Sequence, residues 1–318
     1  IRWTPTALPF SSPIPGPLTP PRPPAIAFLN GHASLFENKE MIISSLLAPD
    51  LGGYSIVESM SQSNCILIFC GVLLTSTLGC LISFQLPIFL NELNKEDLTY
   101  YLKGVVYGIV GLLPVLIVCG FLLQIDHFMI SFLPVICICA ILIGLFFLSF
   151  HTLIVVLTIF SRIVQIAGYI FFFLVCMTFF FNMGFTNTTL INEALRIVFQ
   201  MSIIVSGSLV FCEIVLRKFS EQIEKIGEIL QIDKYSVMGI ILSFGTSIAM
   251  LPLFSKMNQK GKILNAAFSL SGAFVFGGQL GFIAGVNPGS ITWFVVVKLV
   301  AGIAGLLIAN MCEKRNLA

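Results

Sequence analysis

Charge is scarce in this sequence. Only 10% of its 318 residues are Asp, Glu, Lys or Arg, against about 25% in ordinary soluble domains. The mean hydropathy is +1.00, so there is too little polar surface to cover a soluble core, and the chain is an integral membrane protein. Histidine is scarce too: the three, His32, His127 and His151, fall in a tail or at the ends of apolar runs. With no nucleophile motif, nucleotide loop or metal-ligand spacing, nothing assembles a catalyst, so no enzyme activity or cofactor is expected. No nucleic acid is expected as a partner. Cysteine is present nine times, but most copies, such as Cys70, Cys80, Cys119 and Cys176, lie inside apolar runs and read as small hydrophobes. There is no signal-peptide anatomy, and the first residue is Ile1 rather than Met, as in a fragment or a mispredicted start.

Residues 1–40 are set apart by composition. Nine prolines fall within 1–24 with no apolar periodicity, which predicts an extended, disordered or mispredicted tail. From residue 41 onward, apolar runs dominate. Seven are long enough to span a bilayer: about 66–90, 103–123, 129–149, 163–182, 194–216, 263–285 and 291–311. The link between the third and fourth, with His151 and Arg162, is expected to lie along the membrane interface. Residues 217–234 alternate charges with Phe219, Ile223, Ile226 and Leu230 at helical spacing, the pattern of an amphipathic surface helix.

Two further runs do not read as spans. Met41 to Ala48 rises only about 12 Å as helix, far short of the roughly 30 Å hydrocarbon core, before Pro49-Asp50-Leu51-Gly52-Gly53 breaks it. Tyr235 to Ser255 is long enough to cross, yet Ser243-Phe244-Gly245-Thr246-Ser247 interrupts it. Charge placement favours a re-entrant hairpin here. If this run does not cross, twelve of the seventeen basic residues lie on one face, which the positive-inside tendency makes cytoplasmic. The fold class expected is therefore an all-α polytopic membrane protein of about seven spans with two re-entrant or broken hairpins. The hairpins stand at matching places in two halves, 41–123 and 235–311, of opposite orientation. That is the pattern of inverted-repeat transporters, whose sites lie between the broken helices. Residues 41–312 then form one membrane domain and 313–318 a cytoplasmic tail.

The expected site gathers residues from these breaks. Asp50, Gly52, Gly53 and Tyr54 come from the first hairpin, Ser243, Thr246 and Ser247 from the second, and Gln279 from the run Gly277-Gly278-Gln279-Leu280-Gly281-Phe282. A carboxylate at membrane depth is a site residue by default, and Tyr54 presents a ring face to a cation. Gln279 offers both donors and an acceptor. Asp50 serves equally well as a helix cap, and the glycines as close-packing residues. Such a set suits a small polar, cationic ligand. Lys298 stands about 10 Å into its span, where it either snorkels outward or pairs with Asp50 or Glu213. Glu213 has Arg217 four residues on, the spacing of a plain helix pair.

At these same residues the chain resembles the ethanolamine-utilisation permeases. Leu47-Ala48-Pro49-Asp50-Leu51-Gly52-Gly53-Tyr54 is similar to their acid-Met-Gly-Gly-aromatic segment. Asn258-Gln259-Lys260-Gly261-Lys262 through Gly281-Phe282 is similar to their second signature, which Lys298-Leu299-Val300-Ala301-Gly302 continues. The resemblance covers about 41–312. It implies a bacterial inner-membrane carrier of ethanolamine working beside an ethanolamine ammonia-lyase, with room for a homo-oligomer; the charge count above puts its C-terminus in the cytoplasm. Two departures stand out: Gly278-Gln279 replaces an Asp-His pair common in the family, and the Pro-rich tail replaces its first membrane helices. A carrier for a nucleoside or an amino acid, or a seven-span receptor, are the other readings of the same pattern.

Overall fold

Two short helices open the described chain. In the computed structural model, residues 40–46, 52–61, 63–181, 183–184, scattered positions between 191 and 214, and 217–317 are described. Helices α1 (Glu40–Leu46) and α2 (Gly52–Met60) rise only about 10 and 14 Å, so neither crosses a bilayer. They pack on each other and on the first long helix, α3 (Asn64–Glu92). The join between them, with Asp50, lies outside the described residues.

Helix α3 is widened through its middle. It is π-helical over Leu67–Gly79 and again over Leu81–Gln85, although π-helix is ordinarily confined to single turns. Hydroxyls supply the cause. Thr75, Thr77 and Ser83 donate to the carbonyls of Gly71, Leu73 and Gly79, each four residues back. Those are the acceptors an α-helical amide would use, and back-bonding of this kind loosens the α register. Nearly the whole π segment is buried.

Helices α4 (Lys95–Leu122), α5 (Phe128–Leu148) and α6 (Phe150–Phe181) follow. Asn94 caps α4 by accepting from the Asp97 amide at 2.9 Å. The outer faces of α5 and α6 expose Phe147, Leu148, Phe172 and Phe180, as a lipid-facing surface does. After α7 (Ser220–Leu230), with Glu221, Glu224, Lys225 and Glu228 exposed, comes the second broken element. It consists of α8 (Lys234–Ser243), a 3-10 turn at Ser247–Met250 and α9 (Leu251–Phe254). Helices α10 (Gln259–Gly272), α11 (Gly278–Val286) and α12 (Ile291–Leu317) complete the chain.

Helices α4, α10 and α12 form the tightest unit, because small residues line their contacts. A Cβ on Gly104 would stand 2.6 Å from the Ala266 Cβ, and one on Gly111 would meet the Gly305 backbone at 2.6 Å. Close approach of this kind replaces the hydrophobic drive that lipid removes. Charges lock one end of the unit. Lys262 pairs with Asp97 across α10 and α4, both largely buried, and Lys103 pairs with Glu313 at 2.8 Å across α4 and α12. Burial lowers the pKa of nearby Lys260; Lys314 adds to the shift and Glu313 opposes it.

Among the described residues, five helices are long and apolar enough to cross a membrane: Asn64–Glu92, Lys95–Leu122, Phe128–Leu148, Phe150–Phe181 and Pro288–Arg315. Of the seven expected runs, 263–285 is corrected and 194–216 is not tested. Run 194–216 lies mostly outside the described residues. Run 263–285 is not one helix: α10 stops at Gly272, Phe274 turns into the left-handed region at φ 63, and α11 starts only at Gly278. No interfacial link separates α5 from α6 either. The chain breaks only at Ser149, and His151 and Arg162 belong to the continuous helix α6, since no Pro or Gly interrupts residues 150–167.

Candidate functional site

The two breaks of the second half meet each other. The Phe274 amide donates to the Ser243 carbonyl and the Phe276 amide to the Phe244 carbonyl, both at 2.9 Å. Each interrupted helix thus satisfies backbone groups that the other leaves open, the condition for irregular backbone at membrane depth. The crossing needs Gly277, where a Cβ would stand 1.9 Å from the Gly245 carbonyl oxygen.

Gln279, in the first turn of α11, is fully buried. Its Oε1 accepts from the Lys298 ammonium at 2.7 Å, and the same ammonium donates to the Ser76 carbonyl at 2.8 Å. Lys298 is 1% exposed and lies 5.3 Å from the Phe294 ring centroid. It therefore does not snorkel. An acceptor from the π-helical stretch and another just past the break hold it inside, which outweighs the reach of its four methylenes toward water.

The first hairpin joins the same region. Tyr54 is buried and sets its ring edge-on to Phe282 at 5.9 Å, and the Tyr54 backbone is 3.6 Å from a Cβ placed on Gly71 of α3. Gly52 opens α2 and Gly53 is buried beside Tyr54. Tyr54, Phe282, Gln279, Lys298 and Ser76 are thereby linked through contacts among four helices, with the second hairpin attached through Gly245 and Gly277. Asp50 and Glu213 lie outside the described residues.

The hydroxyls of the second hairpin divide. Ser243 donates to the Ile240 carbonyl at 2.7 Å, and Thr246 caps the 3-10 turn by accepting from the Ile248 amide at 3.4 Å, so both serve the break itself. Ser247 is fully buried and its Oγ has no hydrogen-bond partner among the described residues. Sequence reasoning missed Ser76, because what matters there is a main-chain oxygen; the only signal was the cluster Thr75-Ser76-Thr77 inside an apolar run. It also missed the buried Asp97–Lys262 pair, in which Lys262 read as a plain cytoplasmic charge.

The sequence profile of the family described as "Ethanolamine utilisation protein, EutH" matches residues 29–312. The chain belongs to this family. Among its relatives, the probable ethanolamine permease EutH of Listeria monocytogenes serotype 1/2a (strain 10403S) is 30% identical over 297 residues. That alignment spans 90% of this chain and 79% of the relative. The probable ethanolamine permease EutH of Salmonella typhimurium is 24% identical, over 90% of this chain and 76% of the relative. An uncharacterized Bacillus subtilis protein, YxeR, is 25% identical over 82% of this chain and 71% of its own length. No solved structure matches the chain. The EutH match contains both hairpins, the crossing at Gly277 and Lys298, so the whole linked set lies inside the family region.

Proposed function

We propose that this EutH-family chain carries ethanolamine, as the protonated amino alcohol, through the region where the hairpins meet α3, α11 and α12. As a family member it is a multi-pass membrane transport protein of ethanolamine utilisation, not an enzyme. The family match carries the substrate; the buried, polar convergence at the helix breaks supports the location. In this reading Asp50 neutralises the ammonium, Tyr54 presents it a ring face, and Ser247 and Gln279 serve the hydroxyl end. Gly52 and Gly53 let backbone approach the ligand. Glu213, four residues before Arg217, is assigned to a helix pair with it rather than to the ligand.

The topology that fits has the five long apolar helices, α10 and α11 together as one broken crossing, and two re-entrant hairpins, with 41–123 and 235–311 as inverted halves. The C-terminus is then cytoplasmic and the membrane is the bacterial inner membrane, so that ethanolamine arrives where an ammonia-lyase consumes it. The matching place of the two hairpins before α3 and before α10 supports this arrangement.

The test is uptake of labelled ethanolamine into proteoliposomes holding the purified chain. Neutral ethanolamine crosses lipid unaided, so the protein contributes most at mildly acidic pH, where an alkyl ammonium (reference pKa of about 10.4 for Lys) stays protonated. Asp50→Asn keeps shape and removes charge. It lowers affinity by about ten- to hundredfold, the worth of a charge-assisted contact of roughly 1.5–3 kcal/mol. Wild-type affinity in that variant at acidic pH removes Asp50 from the site and leaves it as a helix cap.

A further inference from the structure

We infer that Lys298 is a tethered cation: its ammonium fills the seat that a coupling metal ion takes in other carriers built from broken helices, and this carrier runs without Na+. The inference rests on the carrier reading above. In such folds, carbonyls at unwound or interrupted backbone coordinate the driving cation near mid-membrane. Here the two oxygens found at that kind of position are already turned on an ammonium. One is the Ser76 main-chain oxygen at 2.8 Å, in the π-helical part of α3; the other is Gln279 Oε1 at 2.7 Å, in the first turn after the break that ends α10. Both are neutral oxygens, the ligand type a hard cation takes, and the Phe294 ring at 5.3 Å adds a π face.

These two oxygens suit a monovalent cation, and the side chain that brings the charge to them is 1% exposed. The placement also matters. Ser76 belongs to the helix following the first hairpin, and Gln279 to α11, which starts just past the break that meets the second hairpin at Gly245 and Gly277. A single charge on α12 thus ties the two broken regions together, which is the task a bound ion performs between the halves of an ion-coupled carrier. A lysine cannot be loaded from one side and released on the other. A seat occupied by a tethered side chain leaves an Na+ gradient nothing to drive there.

Two measurements on the full purified chain test this. In proteoliposomes, wild-type uptake of ethanolamine is expected to be equal with inward gradients of Na+, K+ or N-methylglucamine. In detergent, thermal unfolding of the wild type is expected not to respond to Na+. Lys298→Ala empties the seat while leaving its oxygens, so Na+ at a hundred times its dissociation constant should raise Tm by about 5 °C over N-methylglucamine. Lys298→Met fills the same volume with an apolar chain and should show no such rise. Na+-driven uptake by the wild type, an Na+-dependent wild-type Tm, or an Ala variant indifferent to Na+ each overturns the inference. If the Ala variant fails to fold, the wild-type gradient comparison still decides. Absence of any ethanolamine uptake would sink the carrier reading instead, and the melting response is independent of it.

Discussion

Gly277→Ala strikes the crossing of the two breaks at its narrowest point. The new Cβ would stand 1.9 Å from the Gly245 carbonyl oxygen and 2.9 Å from its carbon. These are main-chain atoms on a turn that is itself hydrogen-bonded, so no side-chain rotation relieves the clash. The breaks must separate, and the Phe274–Ser243 and Phe276–Phe244 backbone bonds, both 2.9 Å, are lost together. Each amide left without a partner away from water costs about 1–3 kcal/mol, so the pair costs about 2–6 kcal/mol. At about 2–4 °C per kcal/mol, Tm falls by roughly 5–20 °C. The φ of −111° at Gly277 suits any residue, so the effect is spatial and not conformational. Gly285→Ala provides the control, because a Cβ there meets nothing within 4 Å and the substitution should leave Tm equal or slightly raised. Thermal unfolding in one detergent, followed by ethanolamine uptake in proteoliposomes, reads both variants. If Gly277→Ala melts with Gly285→Ala and transports normally, the two breaks are not held by each other.

Three further outcomes are expected. Asp97→Ala strands the buried Lys262 ammonium and should destabilise by about 3–5 kcal/mol, while Asp97→Leu combined with Lys262→Leu recovers most of it; purely additive losses would show that the charges act separately. Ser247→Ala removes a buried hydroxyl that has no hydrogen-bond partner among the described residues, so Tm should hold or rise by about 1 kcal/mol equivalent while the KM for ethanolamine increases; a lower Tm with unchanged KM would make Ser247 a packing residue. Reporters placed near Lys225 and near Lys260 should both read cytoplasmic, and opposite faces would dissolve the second hairpin and the inverted repeat together.

Much of the architecture was legible because bilayer thickness and backbone chemistry act locally. The run Met41 to Ala48 is too short to cross on length alone, and the break at Ser243–Ser247 is written in small and polar residues. Charge scarcity alone excluded a soluble fold. Asn94 and Asn258 cap α4 and α10, each accepting an amide three residues on, so both helices start before the apolar runs expected from 103 and 263.

What tertiary structure alone decided concerns partners far apart in the chain. Run 263–285 is apolar enough to span. It stops at Gly272 because its next amides find the carbonyls of Ser243 and Phe244, about thirty residues earlier, and hydropathy carries no record of that exchange. The widening of α3 depends on hydroxyls taking carbonyls within a buried surround, which composition does not distinguish from a plain α-helix. For Lys298, sequence left two fates open, because a lysine seven residues into a helix reaches either water or a buried acceptor. Acceptors 222 and 19 residues away decided against water, while the expected partners Asp50 and Glu213 lie outside the described residues: a hydrogen bond's energy depends on distance in space, and sequence records only distance along the chain.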